Sequence, residues 1–326
     1  MTSPATPSSP LPVHERYVVP FSSWPSSGRP AGYVTMPVTD QDVSFYQENG
    51  FLVIEDFLSL EEVGALNAEA ARICRGEAGP IKGLTEHGPD ETDDDVLKKY
   101  LCIHFPHKLS ELMQSTITDD RTADALTRLI GPNVKCMQSM LFIKAAGKPG
   151  QAWHQDEFYI PTRDRSLTGG WIAFDDATVE NGCLWVIPGS HRHGILWPQH
   201  QQADSRFDCS GESGGFPYTD EDAVPVEMKA GSIVFFNGYL LHRSLPNKAG
   251  GGYRRSLVNH FMSAESHLAW HTDETGWLGQ VDNRDIVMVA GTDPYAYKGL
   301  EDRHGAHVRP SGEGGCGDTR HNQKED

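Results

Sequence analysis

Two patterns of apolar and polar positions follow one another along the chain. Residues 1–35 are rich in Pro, Ser and Thr and show no apolar period. They read as a mobile arm in which Tyr17, Val18, Val19, Phe21 and Trp24 can dock on a surface. Helix signals begin at Thr39. TDQDVSFYQENG carries a capping residue, acidic first-turn residues and a terminal glycine, which predicts a helix of about two turns. FLVIEDFL (51–58) reads as a short strand, and Ser59 with Glu62 forms a capping box that opens a helix through LEEVGALNAEAARIC. Residues 76–95, with the acidic run DETDDDV, read as a solvated loop. Residues 108–130 read as helix, broken by Gly131-Pro132-Asn133.

From Val134 the pattern changes to short apolar or alternating runs: VKCMQSMLFIKA, AWHQDEFYI, GGWIAFDDA, CLWVIPGSH, GSIVFFNGYLLH and RRSLVNHFM. Gly, Pro and Asn-Gly punctuate them, which predicts an all-β sandwich or barrel with the upstream helices packed on its outside. The 33 glycines and 21 prolines agree with many turns around short strands. Residues 301–326 are polar and glycine-rich and are expected to be disordered, leaving 36–300 as one domain. No internal repeat is visible.

Composition removes several classes of function. No run approaches the ~18–20 apolar residues that span a bilayer. The N-terminus lacks the basic and apolar regions of a secretory signal. Six scattered cysteines without a CxxC pair argue against a disulfide scaffold or zinc ribbon and fit reduced cytoplasmic thiols. With 28 basic against 45 acidic residues the net charge is −17, which repels phosphate backbones and anionic lipid. Nucleic acid and membrane are therefore not expected partners.

Candidate chemistry centres on His154-Gln155-Asp156. Residues two apart on a strand share a face, so His154 and Asp156 can bind one ion together. Taken alone, the pair reads as a hydrogen-bonded structural one. His242, in YLLHRS, is the best-placed third ligand, and two histidines with one carboxylate make the facial triad of non-haem Fe(II) oxygenases, with open positions for a co-substrate and O2. A second H-x-D, His271-Thr272-Asp273, lacks an alternating strand around it and is not expected to bind metal. Arg254, with Ser256 two residues on, offers a planar fork for the distal carboxylate of a 2-oxo acid. Arg255 falls on the other face of a regular strand. Gln138 and Lys144 read either as groups that orient the site or as strand-surface residues. His191 and His193 read as mouth-loop residues. Gln138, Trp153, Phe158, Tyr159, Trp185 and Asn237 are candidate substrate contacts.

Three runs, QSMLFIKAAGKPGQAWHQDEFY, GGWIAFDDATVENGCLWVIPGSH and GSIVFFNGYLLHRSLPNKAGGGYRRS, resemble the phytanoyl-CoA dioxygenase family of Fe(II)/2-oxoglutarate oxygenases, over roughly residues 40–263. The resemblance implies a mainly β protein with flanking helices and a double-stranded β-helix core, a cupin-like jelly roll. It assigns His154, Asp156 and His242 to iron and Arg254 to 2-oxoglutarate. It also places Met140 and Trp171 in the 2-oxoglutarate pocket, where a plain sandwich would use them as core. The short stretch IPTRDRSLTGG and the ending NQKED show neither an acyl-CoA site nor a peroxisomal address. The expected substrate is thus a small molecule, neutral or cationic in view of the acidic balance. The expected reaction is its oxidation, most simply hydroxylation, with release of succinate and CO2. Two other readings stay open: a cupin-like isomerase or lyase that uses no 2-oxo acid, and a catalytically silent jelly-roll binding protein.

Overall fold

The computed structural model describes residues 30–208, 211–270 and 281–312. The N-terminal arm up to residue 29 and the second H-x-D at His271 lie outside the described residues. Among those described, no helix is long and apolar enough to cross a membrane.

The helices form where the capping chemistry puts them. Thr39 caps α1 (Asp40–Asn49) in a reciprocal box with Asp42, and Gly50 ends it at φ 84°. Ser59 and Glu62 box the start of α2 (Leu60–Cys74) in the same way. Such a cap contributes about 1 kcal/mol. The loop expected at 76–95 turns helical at its end, because Thr92 caps α3 (Asp93–Leu97). The helix expected over 108–130 is two, α4 (Glu111–Thr118) and α5 (Asp120–Leu129). Asp119 is extended and caps the second through its side chain.

Fifteen strands make three sheets among the described residues. The large sheet holds β1 (Tyr33–Val34), β2 (Phe51–Ile54), β3 (Tyr100–His104), β4 (Val134–Ala145), β6 (Thr168–Ala173), β11 (Ile233–Asn237), β13 (Tyr253–Ser263), β14 (Val287–Ala290) and β15 (His307–Pro310). Its order is β1-β2-β11-β6-β13-β4-β3-β15, with β14 also on β4. A second sheet has the order β10 (Val224–Val226), β7 (Leu184–Val186), β12 (His242–Ser244), β5 (Gln151–His154). β8 (Gln199–Gln201) and β9 (Gly211–Ser213) form a separate ribbon within the β7–β10 connection. From β4 to β13 the chain alternates between the two main sheets, except that β7 and β10 pair as neighbours in the second; this is the jelly roll. The helices cover the outside of the large sheet, where Leu66, Ile73, Met113 and Leu126 pack against Leu141, Phe235 and Leu257. A buried phenylalanine such as Phe235 is worth about 3–5 kcal/mol against alanine.

The space between the sheets is divided. Val53, Trp171, Val186, Val224, Val234 and Val258 fill one half with an apolar core. The other half, below β13, β4 and β3, is lined by polar side chains. The expected disordered tail is corrected in part. Residues 307–310 pair with β3, and Val308 N donates to Lys82 O, so an apolar residue and a free strand edge hold this segment down.

Candidate metal and co-substrate site

Strand alternation decides what faces the interior. Along β13 and β4 the cross-strand pairs are Arg254 with Lys144, Ser256 with Phe142, Val258 with Met140 and His260 with Gln138. On the other side of β13, Val258 pairs with Trp171 of β6. Directly opposed residues share a face, so these side chains form one inward wall. In the second sheet His242 pairs with His154 across β12 and β5.

β5 stops at His154, where a longer strand was expected. Gln155 stays extended and Asp156 opens a single helical turn, α6 (Asp156–Tyr159). Gln155 is fixed there because its amide donates to Ile195 O and Tyr239 O and accepts from Trp197 N. His154 and Asp156 still converge, since the intervening residue keeps its extended conformation. One ligating atom each from His154, Asp156 and His242 lies within 4.8 Å of the others. His154 Nδ1 donates to Ala152 O at 2.8 Å and His242 Nδ1 to Leu240 O at 2.9 Å. Both Nε2 atoms thereby face Asp156 Oδ1, at 3.7 and 3.5 Å. Two imidazoles, neutral when they ligate, and a carboxylate are a donor set that suits Fe(II).

A residue the sequence reading did not select completes this cluster. His260 Nε2 donates to the other carboxylate oxygen, Asp156 Oδ2, at 3.2 Å. Counting by twos from Arg254 through Ser256 and Val258 reaches His260, so the signal was present. Burial pushes the Asp156 carboxyl up, but His242 and His260 outweigh it and hold it well below the usual range. Burial, then His242, brings His154 down to about 4. For His242 the opposing pull of burial is exceeded by Asp156, which raises it.

Arg254 lies at the far end of the wall. It is 3% exposed and donates through Nε to Gly182 O at 3.1 Å and through Nη1 to Ser256 Oγ at 2.7 Å. Its guanidinium stands 5.3 Å from the centre of the Trp171 ring. Burial brings it down to about 10, so it stays cationic at neutral pH. Arg255 takes the opposite face and pairs through two bonds with Asp175. Gly182, in the NGC turn, has φ 85°, and a Cβ there would meet Leu245 O at 2.3 Å. Only glycine brings this carbonyl to Arg254.

Not every expected contact faces the interior. Trp153 precedes His154 and so points outward, where its ring packs with Phe216 and lies 4.5 Å from the Arg243 guanidinium. Trp185, opposite Arg243 in the ladder, shares that outer face. Asn237 follows Phe236, whose ring lies 4.8 Å from that of His242. It therefore turns away and accepts from Tyr239 N as a turn brace. These three are corrected as substrate contacts. Tyr159 lies at the mouth, its ring centre 6.4 Å from that of His154, and Phe158 is exposed beside it. His191 donates to Gln47 O, and His193 is exposed in the loop.

The phytanoyl-CoA dioxygenase (PhyH) family model matches residues 46–256. Phytanoyl-CoA dioxygenase 1 of Oryza sativa subsp. japonica is 31% identical over 271 residues, covering 74% of this chain and 94% of that protein. The peroxisomal phytanoyl-CoA dioxygenase of Homo sapiens is 29% identical, covering 78% and 76%. Among solved structures, the non-heme monooxygenase ThoJ superposes with a TM-score of 0.58 at 20% identity, over 77% of this chain and 84% of that one. EctD from S. alaskensis with 2-oxoglutarate and 5-hydroxyectoine gives 0.55 at 21%, over 79% and 82%. These likenesses establish the jelly-roll fold. With a family model spanning most of the chain and a relative above 30% identity, the protein belongs to the phytanoyl-CoA dioxygenase family.

Proposed function

We propose that the protein is an Fe(II)- and 2-oxoglutarate-dependent oxygenase that hydroxylates a small, uncharged metabolite. The observation that carries this reading is the pairing of two features on facing walls. One is a His-Asp-His set with both Nε2 atoms freed for metal. The other is a buried arginine, Arg254, with no acidic side chain in hydrogen-bond or ion-pair contact among the described residues, Asp175 and Asp208 acting on it only from farther away. His154, Asp156 and His242 would hold iron, and Arg254 would take the distal carboxylate of 2-oxoglutarate as a charge-assisted contact. Met140 and Trp171 flank that path on the same wall. Bound there, iron with 2-oxoglutarate and O2 supplies the oxidising power, and succinate and CO2 leave. A metal-dependent isomerase or lyase would have no use for Arg254, and a silent binding protein none for the complete triad.

The substrate reading rests on the wall beyond Met140. His104 pairs with Met140 across β3 and β4 and so faces the interior. Its ring stacks on His307 at 4.3 Å, and Phe105 stacks on His304 at 5.1 Å beside Trp270. Burial, reinforced by His307 and Arg309, brings His104 down to about 3, so the ring is neutral at physiological pH. Of the cations nearby, Arg309 is paired with Asp208 and Lys108 with Asp285 and Asp302, while Lys82 stands close enough to His307 to lower its proton affinity. Neutral imidazoles with the Gln138 amide next along β4 suit hydroxyl groups better than a charged head group. The acidic surface also disfavours a CoA thioester on approach. Cys74, Cys136 and Cys183 are buried free thiols, in keeping with a cytoplasmic setting.

The test is anaerobic reconstitution with Fe(II) and 2-oxoglutarate, admission of O2, and a metabolite screen scored by substrate-dependent succinate. Turnover with no succinate would reject the co-substrate. Preferential turnover of a CoA thioester would reject the substrate class.

A further inference from the structure

Two buried basic side chains stand side by side at the closed end of the co-substrate path. Lys144 and Arg254 face each other across the β4–β13 ladder and are 6% and 3% exposed. Both donate to one carbonyl, Gly182 O, at 3.4 Å from Lys144 Nζ and 3.1 Å from Arg254 Nε. Neither is ion-paired with an acidic side chain among the described residues. A buried unpaired charge is costly, and two like charges on a shared acceptor repel. An anion arriving between the sheets relieves both costs.

The two side chains do different work. Arg254 still has guanidinium protons free for a ligand, since only Nε and Nη1 donate to the protein. Lys144 has none. Its three protons go to Leu245 O at 2.8 Å, Ser244 Oγ at 2.9 Å and Gly182 O. It ties β4 to the strand that carries His242 and fixes the carbonyl that orients Arg254. Burial lowers its proton affinity, with Arg254 adding to the effect, so an anion nearby also favours its charged form.

Resting on the oxygenase reading, we propose that Lys144 is a positioning residue that makes this site select a dicarboxylate. It does so without touching the ligand, by adding a second positive charge at the distal end and by setting Arg254 through Gly182. The gain applies to the distal carboxylate alone. The half of a 2-oxo acid that would chelate the metal lies at the other end of the wall.

The experiment compares 2-oxoglutarate with 2-oxobutanoate, which has the same chelating half and no distal carboxylate, by calorimetric titration of Mn(II)-loaded protein. Wild type should prefer 2-oxoglutarate. Lys144→Met and Lys144→Gln should each raise the Kd for 2-oxoglutarate by about 10- to 100-fold and that for 2-oxobutanoate by less than about twofold, with Mn(II) affinity unchanged. Glutamine keeps hydrogen bonds to the carbonyls without the charge, so it separates charge from tether. A parallel loss for both acids, or a lowered melting midpoint with the selectivity ratio intact, would overturn the proposal in favour of a purely structural lysine. Retention of the wild-type ratio in Lys144→Gln would overturn the charge role. Absence of any dicarboxylate preference in wild type would instead overturn the co-substrate reading itself.

Discussion

Replacing His260 by phenylalanine isolates the contribution of a residue that never reaches the metal. Asp156 divides its oxygens: Oδ1 faces the Nε2 atoms of His154 and His242, and Oδ2 accepts from His260 at 3.2 Å. With His260 6% and Asp156 8% exposed, water has little room to replace the lost donor. In His260→Phe the carboxylate keeps its charge and loses the bond that fixes its rotation. Partners of this kind are worth 10- to 100-fold in metal affinity, or about 1.4–2.7 kcal/mol. The ring volume is nearly conserved, and His260 Nδ1 has no hydrogen-bond partner among the described residues, so the substitution also removes a buried orphan. The melting midpoint should therefore move little. Anaerobic Fe(II) titration followed by metal analysis measures the effect. Affinity within about threefold of wild type would refute the orienting role. A loss as deep as that of Asp156→Ala would mean that His260 is itself a ligand.

Other consequences can be measured on the same protein. His154→Ala, Asp156→Ala and His242→Ala should each lose stoichiometric Fe(II) while remaining folded, and full retention in Asp156→Ala would reject the triad. Arg254→Leu should raise the KM for 2-oxoglutarate at least about tenfold with iron still bound. Arg255→Leu should instead cost roughly 1 kcal/mol of stability, since it breaks the paired contact with Asp175; the reverse ordering would show that the anchor is misassigned. Because Asp156, as a ligand, would fill the coordination position that a halide would need, products should carry no chlorine even in concentrated chloride, which the isotope pattern checks. Burial holds His104 at about 3 and His107 at about 4, against about 6.5 in an unfolded chain. The unfolded state thus binds more protons below pH 6.5. Stability should be full above that value and fall as pH drops towards 4 and then 3. Urea denaturation at pH 7 and 5 tests this, and His104→Phe should flatten the difference.

What could be read from the sequence was whatever local chemistry dictates. Thr39 and Ser59 announce their helices because a cap needs only three residues to close. The strands of the core are legible because each is a short apolar run with its own breakers. The triad was legible because H-x-D needs only alternation, and alternation survives at Gln155 even though β5 ends one residue earlier. The same rule, applied consistently, places Trp153 outside and His260 inside. The misreadings came from selecting residues by type before counting faces. β3 and β15 were hidden for other reasons. Tyr100–His104 is a short apolar run, YLCIH, that is passed over because it follows directly on the charged segment before it. His307–Pro310 is mixed, and its strand conformation depends on pairing with β3, which no local signal encodes.

These two kinds of legibility bear on how the protein selects its substrate. The groups proposed for iron and 2-oxoglutarate come from β4, β5, β6, β12 and β13, whose ladders fix the inward strand residues at once, and from Asp156 at the start of α6, two residues past the β5 ladder. A one-residue slip would turn the whole set outward. All of them lie within residues 46–256, the stretch that matches the family model. The ring wall is assembled differently. His104 and Phe105 are inside that stretch, while Trp270, His304 and His307 lie beyond it. His307 is held by the β3 edge and His304 by Asp285 and Asn283, contacts that do not involve the proposed metal or co-substrate groups. Substitutions in this C-terminal segment can therefore change which molecule is presented to the metal without disturbing the ladder beneath it. On this division, the proposed reaction class would be shared with relatives through the core, and the substrate would be set by a wall that the family match covers only in part.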